Sequence, residues 1–416
     1  MQCSMVTKMM CENNHRTVYG IDLGSSYSAI AFVNEDGWAE VVSNVEGDRT
    51  TASAVFVEPD EVAGKRGVVV GRVAKELAST APDHFIDFVK PHMGDTAWNR
   101  EIEGITWTPE MVSAAILRKL VQGVECRGEK VQDVVITFPA GFSSAQRRAT
   151  ITAGKLAGLN VVGLIDETTA TALEYARNNS PEAKTVVVYN LGGQSFDVAV
   201  VKICGGKVEV VSSGGSLHLG GKDWDDVLAR HLAEKFAAEK NVLEEDLLND
   251  QETFTCLQIK VECIKMAFSH HSTFVQKIWH GNISAQVEID RDKFEELTKP
   301  LLDKTEKITR EVMSLAQEKG VTRFDAFLLE GGAARMPQVW KMAEESFGAL
   351  IERASIRWMG AESVVKGAAI YGASIASQNG YDVNPYENLN GLMATGTLTI
   401  EQIEESKQIN CDLEVE

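Results

Sequence analysis

Apolar runs separated by glycine-rich turns recur along the chain, and two of these units have the same form. In residues 17–33, TVYGIDLGSSYSAIAFV, one apolar run enters a Gly turn and another leaves it, and residues 184–201, KTVVVYNLGGQSFDVAVV, repeat the arrangement. Each unit is typical of a strand, a tight turn and a strand. The residue before Leu-Gly is Asp22 in the first unit and Asn190 in the second. The repetition predicts two similar lobes facing one another across a cleft, where small ligands usually bind.

The rest of the pattern predicts a mixture of strands and helices that indicates an α/β protein. In the first part of the chain we expect strands at 41–44, 53–57, 131–142 and 160–166, and helices at 108–124, 143–159 and 167–177. In the second part we expect a strand at 206–215, a strand pair at 274–290, helices at 224–240, 257–269, 292–320 and 362–376, and a strand, turn and helix start at 324–337.

Composition and charge narrow the function classes. A length of 416 residues suggests two or three domains, and a net charge of −19 argues against a nucleic-acid surface, which needs clustered Lys and Arg. The seven cysteines form no CxxC pair and no zinc-ligand spacing, so we expect free thiols and a cytoplasmic protein. The first residues lack the apolar core of a secretory signal, and no stretch is apolar for long enough to span a bilayer. We therefore expect protein partners, with no nucleic acid and no membrane.

Four glycine turns could supply the backbone N–H groups that hold a phosphate, because no Cβ blocks the approach. They are Gly24 with Ser25 and Ser26, Gly192-Gly193 with Ser195, Gly220-Gly221, and Gly331-Gly332 with Arg335. Any one of them alone is typical of an ordinary hairpin. The matched pair at 22–26 and 190–197, followed by LLEGG, is far more specific.

These residues resemble the 70-kDa heat-shock chaperones, within the actin-like ATPase superfamily. The similarity is carried by segments in one order: GIDLGSSYSAIA, VVITFPAGFSSAQRRAT, AGLNVVGLIDETTATALEYA, NLGGQSFDVAVV, HLGGKDWDD, VEIDRDKFEEL and LLEGGAARMPQV. They extend from about residue 17 to 377 and cover the family's nucleotide-binding domain. The resemblance implies an α/β, two-lobed, actin-like fold with duplicated sheet-plus-helix lobes around a cleft for ATP or ADP and Mg²⁺.

The resemblance also implies a domain plan. We expect a disordered lead at 1–15, lobe I at 16–182 with a small insertion subdomain at about 51–107, lobe II at 183–354 with a small subdomain at about 222–301, a closing helix at 355–377 that returns to lobe I, and a short tail at 378–416 without a peptide-binding domain. We expect a disordered tail; the alternative is a degenerate linker at 389–400 that docks on the domain.

Site roles follow from the resemblance, position by position. Asp22 and Asp197 match the carboxylates that organise the metal, Lys90 the lysine beside the γ-phosphate, and Glu167 the glutamate near the attacking water; these four are the candidate catalytic residues. The candidate nucleotide-binding residues are Gly24, Ser25, Ser26, Tyr27, Gly192, Gly193, Ser195, Gly220, Gly221, Glu262, Lys265, Ser269, Gly331, Gly332 and Arg335. The alternatives are a surface role for Lys90, a solvated Asp197, and an Arg335 that caps its own loop.

Several positions depart from the family's pattern. Asn190 stands where the family has an aspartate, and an amide can neither balance a metal nor accept a proton. The other departures are Thr168 for a proline, Gln194 for a glycine, Met266 for a basic residue that stacks on adenine, Ala333 for a hydroxyl residue, and Met359-Gly360-Ala361 for Asn-Pro-Asp. Relaxed hydrolysis is their simplest common cause. The leading hypothesis is an ATP-binding domain that hydrolyses ATP slowly or not at all and regulates chaperones through partners. The alternatives are a slow but working Mg-dependent ATPase and a nucleotide-free scaffold.

Overall fold

The computed structural model describes residues 17–59, 67–179, 182–351, 355–378 and 398–399. The strands in the first half are β1 Val18–Asp22, β2 Tyr27–Val33, β3 Ala39–Val42, β4 Thr51–Ala52, β5 Ala54–Val57, β6 Val68–Val70, β7 Phe85–Asp87, β8 Arg100–Ile102, β9 Ile105–Trp107, β10 Asp133–Phe138 and β11 Asn160–Asp166. The remaining strands are β12 Lys184–Leu191, β13 Phe196–Cys204, β14 Lys207–Ser216, β15 Thr273–His280, β16 Ile283–Asp290, β17 Ala326–Glu330, β18 Ile356–Trp358 and β19 Leu398–Thr399. The helices are α1 Arg72–Leu77, α2 Pro109–Glu125, α3 Ser144–Leu156, α4 Glu167–Arg177, α5 Gly221–Lys240, α6 Glu244–Asn249, α7 Gln251–Ala267, α8 Arg291–Glu318, α9 Pro337–Phe347 and α10 Ser363–Gln378.

Two large sheets share one strand order. In the first sheet the order is β3-β2-β1-β10-β11, and in the second it is β14-β13-β12-β17-β18. In each, three antiparallel strands continue into two parallel ones, so β1 and β12 occupy equivalent places. The prediction of two lobes with duplicated sheets is therefore confirmed.

The central strands of both sheets are buried on both faces, as their nearly continuous apolar runs require. Strands β10, β12 and β17 are buried along most or all of their length. Helix α10 lies across β1 and β2, and α4 packs against both α10 and strands of the second sheet. These two helices therefore join the lobes and place the carboxyl end of β11, where α4 begins, beside the second sheet.

Glycine makes the closest of these approaches possible. A Cβ on Gly20 of β1 would lie 2.1 Å from the backbone nitrogen of Ala369, and one on Gly367 would lie 1.9 Å from the carbonyl oxygen of Ala170. Since neither backbone can give way cheaply, α10 reaches β1 and α4 only because these positions carry no side chain.

Helix starts follow local capping chemistry. Ser143 and Gln146 form a capping box before α3, and the Asp250 carboxylate accepts from Thr253 N at 2.7 Å before α7. The predicted start of this helix at 257 was wrong, because Asp250 caps it about two turns earlier. The predicted start of α5 at 224 was also late, since the helix begins at Gly221.

Smaller elements complete each lobe. Strands β5, β6 and β7 with α1 form one small unit, β8 and β9 form a hairpin, and β15 and β16 form a ribbon that packs against α5, α7 and α8. Within the described ranges, no helix combines the length and the apolar character needed to cross a membrane. The predicted lead at 1–15 lies outside the described residues, as does most of the predicted tail. Leu398–Thr399 of the proposed docking segment pairs with Gly163 and Leu164 of β11.

Candidate active site

The turns of the two equivalent hairpins touch each other. A Cβ on Gly193 would lie 2.1 Å from the Ser26 hydroxyl oxygen, and one on Gly24 would lie 2.1 Å from the carbonyl oxygen of Tyr27. Glycine is therefore required in both turns. The turn that holds Gly24, Ser25 and Ser26 in lobe I therefore meets the turn that holds Gly192, Gly193 and Ser195 in lobe II through the contact of Ser26 with Gly193.

Glu167 is the centre of a buried network. It is the first residue of α4, and one carboxylate oxygen, Oε1, accepts from Lys90 Nζ at 2.6 Å. The other oxygen, Oε2, accepts from Asn190 Nδ2 at 2.7 Å. All three residues are buried. The structure thus unites Lys90 and Glu167, and it adds Asn190 as a second donor to the same carboxylate.

Asp22 and Asp197 approach this network from opposite lobes. Thr137 donates its hydroxyl to Asp22 Oδ1 at 2.8 Å, and the backbone N–H of Gly141 donates to Asp197. Burial, reinforced by the charge of Glu167, raises the pKa of Asp22 to about 6 and that of Asp197 to about 8. Among the described residues Asp197 Oδ2 is buried without a hydrogen-bond partner. Both aspartates are therefore buried beside the negative charge of Glu167, and Asp197 also has an oxygen without a donor.

A further buried carboxyl group at this site, Glu330, was not predicted from the sequence. It ends β17 next to Asn190 in the sheet register, and it accepts hydrogen bonds from the Ser363 hydroxyl and from Gly331 N–H. Burial raises its pKa to about 8, with the charges of Asp22 and Glu167 adding to the effect. A signal was present in the sequence, because Glu330 follows the apolar run FLL and precedes Gly-Gly. In GIDLG, Asp22 likewise ends an apolar run just before a glycine turn.

The predicted residues at 220, 221 and 265 form one contact. Lys265 Nζ donates to Gly221 O at 2.8 Å and to Asp225 Oδ2 at 2.7 Å. Gly221 N in turn donates to Gly192 O at 2.9 Å, and the missing Cβ of Gly220 leaves room for the backbone of Gln194. Lys265 therefore holds the start of α5 against the second glycine turn.

An ion pair crosses the cleft above these turns. Lys75 of α1 donates to Glu262 of α7 at 2.6 Å, and the same ammonium lies 5.2 Å from the ring centroid of Tyr27. Tyr27 and Glu262, both predicted to contact nucleotide, are thus held at the mouth of the cleft by a lysine that the sequence analysis did not single out.

The predicted wall of the base pocket is more open. Arg335 is exposed, with its guanidinium 5.9 Å from the ring centroid of Trp358, and Met266 is 49% exposed. Ser269 lies just beyond the end of α7. Gly331 has a φ of 86° and lies against Leu191 O, so only glycine fits there, while Gly332 has open space around it.

Two departures from the family's pattern have visible contacts. The Thr168 hydroxyl donates to Asp166 Oδ1 at 2.7 Å, where Asp166 also caps α4 by accepting from Thr169 N at 2.8 Å. The Gln194 side-chain oxygen is buried without a hydrogen-bond partner in the described part of the chain. Thr168 is thus satisfied within the helix cap, whereas Gln194 leaves an acceptor unused.

The donor set fits Mg²⁺ held largely through water. The described residues contain no group of three or more His, Cys, Asp or Glu side chains close enough to enclose a metal. Mg²⁺ keeps several waters and needs only one or two carboxylates beside phosphate oxygens. Asp22 and Asp197, with the unpartnered Oδ2 of Asp197, match that requirement.

Two equivalent sheets, a central cleft and facing glycine turns define a protein of the two-lobed, actin-like ATPase fold. The family model described as Hsp70 protein matches residues 18–386, and the chain belongs to the Hsp70 family. It is also 35% identical over 376 residues to the chaperone protein DnaK of Thermosipho africanus (strain TCF52B). That match covers 88% of this chain and 60% of the DnaK protein, so the chain spans well under the relative's full length. The matched region corresponds to the family's nucleotide-binding domain.

Proposed function

We propose that this domain binds ATP with Mg²⁺, hydrolyses it slowly or not at all, and regulates chaperones through protein partners. The observation that carries the proposal is that both oxygens of Glu167 accept hydrogen bonds, from Lys90 and from Asn190. A general base must be within hydrogen-bond reach of the water that it activates. The two donors occupy one acceptor site on each oxygen of Glu167, and the neutral amide of Asn190 can neither accept a proton nor balance the metal, so we expect a slow chemical step.

Nucleotide binding is supported by the parts of the site that remain. The facing turns around Gly24 and Gly193 offer backbone donors, and Lys265 holds α5 against the second turn. Mg²⁺, when bound, supplies charge neutralisation at the phosphates. Asp22 and Asp197 would hold it; burial raises the pKa of both groups, and a cation beside them would favour their ionised forms.

A slow but working ATPase is the second candidate, because Asp22, Lys90, Glu167 and Asp197 are all retained and lie close enough to influence one another's charge. The nucleotide-free scaffold remains the third, supported by the exposed Met266 in the predicted base pocket. The regulatory role itself rests on the resemblance to hydrolysis-deficient members of the family that act through partners. A cytoplasmic location is supported by the free thiols of Cys126, Cys204, Cys256 and Cys263.

Calorimetric titration of MgATP, followed by single-turnover phosphate release, tests the proposal. We expect binding, and at a ligand concentration 100-fold above Kd a stabilisation of about 2.7 kcal/mol. We expect Asp197→Asn to weaken binding of MgATP, whereas Asp303→Asn, on the exposed surface of α8, should not. No heat and no stabilisation would leave the scaffold, and fast phosphate release would favour the working ATPase.

A further inference from the structure

The two lobes place a carboxyl group on different strands of equivalent sheets. In lobe I the carboxylate of Asp22 ends β1, and its neutral partner Thr137 lies on the parallel neighbour β10 and donates to it at 2.8 Å. In lobe II the neutral residue, Asn190, takes the place of Asp22, and the carboxyl group, Glu330, takes the place of Thr137. The acidic and the neutral side chain have thus exchanged strands.

Asn190 lies between two acids. Its Nδ2 donates to Glu167 Oε2 at 2.7 Å, while its Oδ1 faces the backbone of Gly331, where a Cβ would come within 2.7 Å of it. Glu330 directly precedes Gly331 and pairs with Asn190 in the parallel register. The side chains of Glu330 and Asn190 therefore leave the same face of the sheet. An amide can donate to one acid and remain neutral beside the other.

Glu330 is itself firmly placed. It is buried, and it accepts from the hydroxyl of Ser363, the first residue of α10, which also lies across lobe I. The carboxyl group therefore ties the end of β17 to the helix that joins the lobes. Its burial and its hydrogen bond with Ser363 oppose a movement away from a new charge at position 190.

We propose that Glu330 is a positioning residue of the ATP site: it makes a neutral amide, and not a carboxylate, the fitting side chain at 190, and through Asn190 it fixes Glu167. The inference rests on the proposed function for its catalytic part. An aspartate at 190 would bring an oxygen to the position of Nδ2, within hydrogen-bond distance of the Glu167 carboxylate, and would set a second charge beside Glu330. Like charges this close in a buried site cannot all stay ionised.

The test is a double-mutant cycle with Asn190→Asp, Glu330→Gln and the double variant. At pH 9, above the pKa of about 8 that burial gives Glu330, thermal unfolding without nucleotide should show a clear loss of stability for N190D, and E330Q in that background should recover at least about half of it. In single-turnover phosphate release, N190D alone should change the rate by less than about twofold, whereas N190D/E330Q should raise it by about tenfold or more.

Asp133→Asn provides the matched control, because Asp133 is a buried acid at the far end of β10 in the other sheet. The loss of stability caused by Asp133→Asn should add to the loss caused by N190D, and Asp133→Asn should recover none of the stability lost in N190D. Equal unfolding temperatures for N190D and N190D/E330Q would overturn the inference. Recovered stability with no rise in phosphate release would overturn the positioning role and leave Glu330 as a packing partner.

Folding failure is itself a readout. If N190D gives no folded protein, N190D/E330Q must give it, and failure of both contradicts the inference. Fast hydrolysis by the unmodified chain would refute the proposed slow step. The coupling between positions 190 and 330 would still be tested, because it is measured by unfolding without nucleotide.

Discussion

At the scale of single residues, the site contains several buried acids and too little positive charge to neutralise all of them. Asp22, Asp197 and Glu330 all have pKa values raised first by burial. Lys90 supplies positive charge to Asp22 and Asp197, and its ammonium is engaged by Glu167. A nucleotide-free site of this kind is expected to favour protonated carboxyl groups until a cation arrives.

The titration of Glu330 predicts a pH dependence of stability. Its pKa is raised from 4.5 to about 8, so between these values the folded state keeps a proton that the unfolded chain has lost. The free energy of unfolding must therefore fall as pH rises through this window and level off above it. Glu330→Gln removes the contribution, and the decline should be shallower by up to about 1.4 kcal/mol per pH unit.

Urea unfolding of both proteins at pH 5, 6, 7 and 8 measures this difference. Asp22 and Asp197 shift stability in the same direction and are present in both proteins, so the difference between the two curves reports Glu330 together with its coupling to Asp22. Parallel curves for the two proteins would show that Glu330 is ionised in the folded state.

Residue types alone found part of this site. Lys90, Glu167, Asp22 and Asp197 could be selected from short motifs, because their motifs surround them in sequence. The donor role of Asn190 and the presence of Glu330 could not, since they depend on the register between β12 and β17, strands that are far apart in the chain. Lys75 was missed for the same reason, as its partner Glu262 is 187 positions away.

At the scale of elements, α10 is fitted to its neighbours by glycines. Two glycines of α10, Gly367 and Gly372, should differ in how much stability an alanine costs. Gly367→Ala would place a Cβ 1.9 Å from the backbone oxygen of Ala170, whereas Gly372→Ala would place one 2.8 Å from a methyl group of Val18. Because a side chain yields more easily than a backbone, we expect losses of about 3 and about 1 kcal/mol in unfolding free energy.

Chemical denaturation of the two variants gives both values on one scale. Equal losses would mean that α10 can shift along β1 and that its contact with α4 is not fixed. The apolar pattern predicted this helix, but nothing in the pattern distinguished glycines that face a backbone from those that face a side chain. Helix starts without a strong apolar signal, such as that of α7, were misplaced for a related reason: the cap is polar.

At the scale of the whole molecule, the ion pair between Lys75 and Glu262 spans the cleft between the small units of the two lobes. We expect Lys75→Met to speed the dissociation of a fluorescent ADP analogue by roughly two- to fivefold, the effect of losing an ion pair worth up to about 1 kcal/mol. Lys75 and Glu262 are both mostly shielded from water, so the effect should survive moderate salt.

Lys299→Met is the matched control, since Lys299 forms an ion pair of the same length with Asp303 on the exposed face of α8. Stopped-flow dissociation should be unchanged in that variant. If Lys75→Met behaves like Lys299→Met, the ion pair does not restrain opening of the cleft. The two-lobed plan was predictable because the strand, glycine turn and strand occur twice in the sequence. The contact made by Lys75 was not predictable, because α1 is a short helix without a marked apolar pattern.

The path of the chain has a consequence for biosynthesis. Lobe I begins with β1 at Val18, yet α10, which covers that strand, starts only at Ser363. The main sheet of lobe II, from Lys184 to Trp358, lies wholly between them. A chain emerging from the ribosome therefore carries an unfinished first lobe through the whole synthesis of the second, and its apolar surface depends on late closure or on shielding by other proteins.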